Sequence, residues 1–89
     1  MKAIVTVVGK DQVGIIAGVC GTLAQHGVNV LEISQTIMQR TFTMIMLVEW
    51  TAGAPEFDTV QARVTEKGDQ MGLSIRIQRE EIFDAMHRI

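Results

Sequence analysis

The chain has 89 residues, 47% of them hydrophobic, and a formal net charge of −2. Such a length fits one domain with one core, yet a domain this short buries only about 60–65% of the surface its unfolded chain exposes, so a covering partner surface is expected. The charge balance excludes the broad positive field that draws proteins to nucleic acid or anionic membranes, and no apolar run approaches the roughly 20 residues of a membrane-spanning helix.

Cys20 stands alone and has no partner for an internal disulfide. The opening MKAIVTVVGKDQVG has neither a long apolar stretch nor a cleavage site, a pattern that reads as cytoplasmic. Residues 2–8, KAIVTVV, are almost all apolar or β-branched, which predicts a first strand with both faces largely covered. GKDQVG follows, and then Ile16, Val19, Cys20, Leu23 and Ala24 recur at helical spacing. This first helix should end near His26, with Gly27 as its left-handed C-terminal residue.

From Val28 to Met38, VNVLEISQTIM places Leu31, Ile33 and Ile37 at even spacing and reads as a second strand. Gln39 and Arg40 form a short connection without Asn-Gly, which leaves the hairpin register around Gln39–Thr41 open. In FTMIMLVEW, residues 42–50, Phe42, Met44, Met46, Val48 and Trp50 share one face of a third strand; Thr43, Ile45, Leu47 and Glu49 share the other.

Pro55 suits a first helical position, and Glu56 and Asp58 favour the positive end of a helix dipole. Phe57, Val60, Val64 and Met71 give this second helix an apolar stripe that Gly72 closes. LSIRIQR then alternates Leu73, Ile75 and Ile77 against Ser74, Arg76 and Gln78 as a fourth strand. In the tail, Ile82, Phe83, Met86 and Ile89 are spaced as one face of a short docked helix over 81–89.

The order βαββαβ predicts an α+β ferredoxin-like sandwich, a four-stranded antiparallel sheet with two helices on one face. Right-handed crossovers place strands one and three at its centre. Apolar residues on both faces of strand three, Met44 and Met46 against Ile45 and Leu47, predict a homodimer that covers what one chain leaves open.

No residue set argues for catalysis, metal or cofactor. Cys20 lies on the apolar stripe of helix one, His26 at a helix end and His87 in the tail, far from any nucleophile–base arrangement. Two distant histidines and one cysteine, without CxxC or HExxH, make no metal-ligand set. Glu80 and Glu81, on a strand, would point to opposite faces. The four aromatic residues Phe42, Trp50, Phe57 and Phe83 are scattered and no tyrosine is present, unlike the stacking platform of sheet-based RNA binders.

Two loops remain: GKDQVG at 9–14 and GVN at 27–29. Gly9, Gly14 and the amides that open helix one suit a small anionic group, and Asp11 would hold an ammonium or hydroxyl or else cap the helix. Asn29 is either a ligand group or a plain turn residue. Within one subunit the two loops fall at opposite ends of the helix, but a two-fold axis brings one chain's first loop to its partner's second strand.

The stretch VVGKDQVGIIAGVCGTLAQHGVNVLEISQT resembles the first half of an ACT domain: a strand into D-x-x-G, a helix, then G-[VI]-N-[VI] leading into strand two. The resemblance covers residues 1–80, with 81–89 as a tail, and is similar to small stand-alone ACT proteins related to glycine-cleavage repressor-like regulators. It implies a non-catalytic regulatory module that binds an amino acid or similar effector across a homodimer and acts on a protein partner. Carried over position by position, it assigns Asp11 and Gly14 to the ligand loop and Asn29 and Val30 to the ligand strand. Lys10 and Asp11 stand where some serine-binding members have His-x-Asn, so serine specificity is not inherited. Two alternatives are a small acylphosphatase-type hydrolase, whose loop arginine is replaced here by Lys10, and a ligand-free dimerisation module.

Overall fold

Alternation decides which side of each strand is buried. In β1 (Lys2–Lys10) Ala3, Val5 and Val7 are fully buried, while Ile4 and Thr6 are half-buried and Val8 is exposed. The expectation of a strand covered on both faces therefore holds on one face only. The computed structural model, which describes residues 1–81, gives the reason: both helices pack on one side of the sheet and leave the other open.

The remaining elements are α1 (Ile15–Gln25), β2 (Val28–Met38), β3 (Thr41–Trp50), α2 (Phe57–Met71) and β4 (Ser74–Arg79). The strand order is β2-β3-β1-β4, antiparallel throughout, with β1 and β3 central. Both βαβ units skip a strand, and this split arrangement is the ferredoxin-like sandwich expected from the element order. Phe42, Met44, Met46 and Val48 of β3 complete the buried face, and Val19, Leu23, Val60 and Val64 close it from the helices.

Helix α1 begins one residue earlier on the core side than the spacing predicts. Ile15, Val19 and Leu23 form its buried stripe, whereas Ile16 and Ala24 are exposed and Cys20 is half-buried, with its Sγ 3.7 Å from the Met46 Sδ. Gly27, at φ 72°, turns the chain out of the helix, and its carbonyl accepts from both the amide and the hydroxyl of Thr51.

In β2 a bulge between Val30 and Glu32 resets the alternation, because Val30 pairs with Val48 while Glu32 pairs with the next residue back, Leu47. Leu31 is taken up in the bulge, so Leu31, Ile33 and Ile37 do not form the regular apolar face that their even spacing predicts. All three are exposed, since β2 is an edge strand reaching beyond the cover of the helices. The hairpin closes tightly: Met38 pairs with Thr41, and Gln39 and Arg40 both take positive φ, 50° and 69°. That is the geometry of a two-residue type I′ turn built without Asn or Gly.

Pro55 lies outside α2; Glu56 is the residue that caps it and Phe57 the first helical one. Val60, Val64 and Gly68 are buried along its stripe, with Phe57 and Met71 half-buried. Gly68 is where the helix comes down onto β4, for a Cβ there would meet the Ile75 Cδ1 at 2.8 Å. Leu73 N–H donates to the Gly68 carbonyl and Gly72 N–H to that of Asp69, the bond pair of a Schellman C-terminus. Beyond β4, Glu80 and Glu81 turn helical instead of extending the strand, so they do not point to opposite sheet faces. The predicted tail stripe of Ile82, Phe83, Met86 and Ile89 lies outside the described residues.

Candidate functional site

Loop one is held at both ends by bonds to distant parts of the chain. The Asp11 amide donates to the Arg40 carbonyl in the hairpin turn at 2.8 Å, and the Gln12 Nε2 donates to the Met71 carbonyl at the end of α2, also at 2.8 Å. The loop then passes through Gly14, at φ 90°, which is itself the N-cap of α1. No side chain caps the N-terminus of this helix. The capping role open to Asp11 is therefore not taken, and its carboxylate stands exposed.

The first amides of a helix have no intrahelical carbonyl to bond, and together they carry the positive end of the helix dipole. Here Gly14, Ile15, Ile16 and Ala17 line an open groove of about 320 Å³ with Asp11 and Gln12. Its far wall is Gln35 and Ile37 of β2 and Phe42 of β3. The groove thus combines unpaired donors, one carboxylate and a wall in which the Gln35 amide stands between apolar Ile37 and Phe42. That set complements a small molecule bearing both an anionic and a cationic group.

Asn29 and Val30 are elsewhere. Asn29 is exposed opposite Glu49 on the sheet and lines a separate recess of about 230 Å³ with Ala24, Gly27, Val28 and Thr51, while Val30 is half-buried against the core. Helix α1 walls both recesses, the first with Ile15, Ile16 and Ala17 and the second with Ala24, so the two stand about 10 Å apart along its axis at 1.5 Å per residue. One chain brings Asp11 to Gly14 and Asn29 to Val30 but does not join the pairs.

Sequence reasoning missed Gln12, Gln35, Ile37 and Phe42 as groove residues. The available signal was Gln35, a polar residue opposite Met44 on a sheet face that is otherwise apolar. The remaining titratable candidates have structural surroundings. Burial pushes the Cys20 thiol up, which works against the thiolate that a nucleophile needs. The His26 Nδ1 donates to the Thr22 carbonyl at 2.8 Å in the last turn of α1. Among the described residues no three His, Cys, Asp or Glu side chains gather as a metal-ligand group, and no helix is long and apolar enough to cross a membrane.

Fold and groove together define a small split-βαβ module with a ligand-sized recess at a helix N-terminus. A family profile described as ACT domain matches residues 2–78. The chain belongs to the ACT domain family, whose domains are regulatory, ligand-binding modules. It is 55% identical over 89 residues to a UPF0237 protein of Clostridium acetobutylicum, covering all of both chains. Among solved structures, an ACT domain protein from Streptococcus pneumoniae superimposes with a TM-score of 0.82 at 41% identity, covering 98% of each chain. A protein assigned as a glycine cleavage system transcriptional repressor follows at 0.76 and 26%, over 88% of this chain and 44% of that one.

Proposed function

We propose that the protein is a non-catalytic regulatory module that binds an amino acid, or a similar small effector, across a homodimer interface and passes the signal to a protein partner. The observation that carries this reading is the exposed flank formed by α1 and β2. Ala17, Gly21 and Ala24 on α1 are exposed, and beside them Leu31, Ile33 and Ile37 of the β2 edge are 40%, 48% and 56% exposed. A long apolar edge of this kind is a pairing surface unless covered.

A two-fold axis perpendicular to α1 near its middle, at Cys20 and Gly21, places the N-terminal end of one helix beside the C-terminal end of the other. Gly21 leaves room for that approach, because a Cβ at this position would meet nothing within 4 Å in its own chain. The same operation sets Asp11 and Gly14 of one protomer against Asn29 and Val30 of its partner. An effector carboxylate would then sit on the α1 amides, its ammonium on Asp11, and Asn29 would close the site from across the interface. No cofactor takes part, and the module acts in the cytoplasm.

Calorimetric titration with each of the common amino acids tests this reading. One of them should bind with a stoichiometry of one per protomer, and Asp11→Ala and Asn29→Ala should each weaken it at least tenfold. Binding unchanged in both variants would remove the site.

A further inference from the structure

Alternation sends every second residue of the sheet away from the helices. With Ala3, Val5 and Val7 of β1 and Met44, Met46 and Val48 of β3 turned into the core, Ile4, Ile45 and Leu47 face outward, and Ile4 lies opposite Leu47 on the two central strands. A groove of about 240 Å³ runs over these three side chains. Ile45 is 43% exposed in it, although it sits on a central strand.

The walls of this groove are acidic. Glu32 of the edge strand β2 stands on one side and Glu80, just past the end of β4, on the other, and neither lysine nor arginine lines the groove. Glu32 lies opposite Leu47, level with the apolar centre. Among the described residues neither carboxylate has an ion-pair partner. We propose that this groove receives an amphipathic helix of a second protein, apolar on one face and carrying lysine or arginine along both flanks. The proposal rests on the reading that the module acts on a protein partner, and it names the surface and the chemistry of that contact.

Three features select this occupant. The first is backbone: β1 and β3 are already paired on both sides, so the middle of the face offers side chains alone, and a helix, whose own backbone groups are satisfied internally, suits it better than an added strand. The second is width. Adjacent strands are about 4.8 Å apart, so the three spacings from β2 to β4 come to roughly 14 Å. A helix with its side chains is about 10–12 Å across, and one helix laid along the strands therefore fills the trough between the two acids. The third is charge. An apolar strip with a carboxylate on each side complements a helix with a cation on each side of its apolar stripe, the apolar contact giving affinity and the charges orientation. Two copies packed by this same face would instead lay acids on acids, whichever in-plane two-fold axis related them.

The test is fluorescence anisotropy on the full chain, with no amino acid present, using a fluorescein-labelled peptide of about 14 residues, about 21 Å of helix, that carries leucines on one face and lysines on both flanks. The peptide should bind in the micromolar range, and its twin with glutamate in place of lysine should not. The Glu32→Lys/Glu80→Lys variant should weaken binding at least tenfold, and Ile45→Asp should abolish it. Glu66→Lys/Asp69→Lys, exposed on α2 on the other side of the sheet, changes the net charge equally and should weaken binding less than twofold. No binding of the lysine peptide, the result expected if another part of the chain or a second copy already covers the face, would overturn the proposal. So would a loss as large in the α2 variant as in the groove variant, which would mean attraction to net charge alone. The calorimetric test of the effector reads the groove at α1, on the helix side of the sheet, so either reading can fail while the other stands.

Discussion

Gly68→Ala adds one methyl group at the place where α2 meets β4. Inside a helix this change ordinarily stabilises by about 1 kcal/mol, because alanine loses less backbone entropy than glycine. Here the new Cβ would lie 2.8 Å from the Ile75 Cδ1, 2.9 Å from its Cγ1 and 3.1 Å from the Leu73 carbonyl oxygen. The side chain can swing aside, but the carbonyl belongs to the chain that the Schellman bond of Leu73 holds in place. Overpacking of this sort costs about 1–3 kcal/mol, so the net effect is a loss of about 1 kcal/mol and a fall in melting temperature of roughly 4–8 °C. Ile75→Ala removes the two side-chain contacts and leaves the carbonyl, so in the double variant only part of the loss should disappear, a coupling of about 0.5 kcal/mol. Thermal and urea unfolding of the four proteins measure this. A rise in stability for Gly68→Ala alone would refute the close contact.

Arg40→Gly should stabilise the protein by about 1 kcal/mol, because a non-glycine residue at φ 69° pays a left-handed backbone cost that glycine avoids; urea unfolding would show it, and a loss of stability would mean that the Arg40 side chain has a role of its own. Cys20, its thiol pushed up by burial, should alkylate more slowly in the folded protein than in urea at the same pH. Because the folded pKa is raised, the thiol's contribution to stability is fully present below the unfolded pKa and is lost as pH rises through the folded one. The Cys20→Ser variant should therefore show a shallower loss of stability on the alkaline side, and equal slopes would contradict the shift.

The sequence made the element order legible because each element repeats its own period: Phe42 to Val48 alternates strictly, and Val60, Val64 and Met71 hold one helical stripe. It was silent where tertiary context overrides period. The even spacing of Leu31, Ile33 and Ile37 marked a strand but not its place at the sheet edge, nor the bulge at Val30 and Glu32 that takes Leu31 out of the alternation. The tight hairpin carried no glycine to announce it, since Gln39 and Arg40 adopt positive φ under the constraint of the paired strands. Gly68 gave no signal at all, as its close approach to Ile75 joins α2 to β4 only in three dimensions. At the candidate site the first loop was legible from its glycines and Asp11. Its outer wall was not, because Gln35 and Phe42 arrive from another hairpin.

The central claim is that the effector site is completed by a second protomer, and mixing two inactive variants tests it most directly. In a shared site, a heterodimer of Asp11→Ala and Asn29→Ala carries one position with both defects and one with neither. Random exchange of equal amounts makes half the dimers mixed, so about one site in four regains full affinity. Calorimetry on the mixture should then recover the wild-type dissociation constant at about a quarter of the wild-type stoichiometry, although neither variant alone shows it. If subunit exchange is complete by mass and no wild-type affinity returns, Asp11 and Asn29 do not meet across an interface.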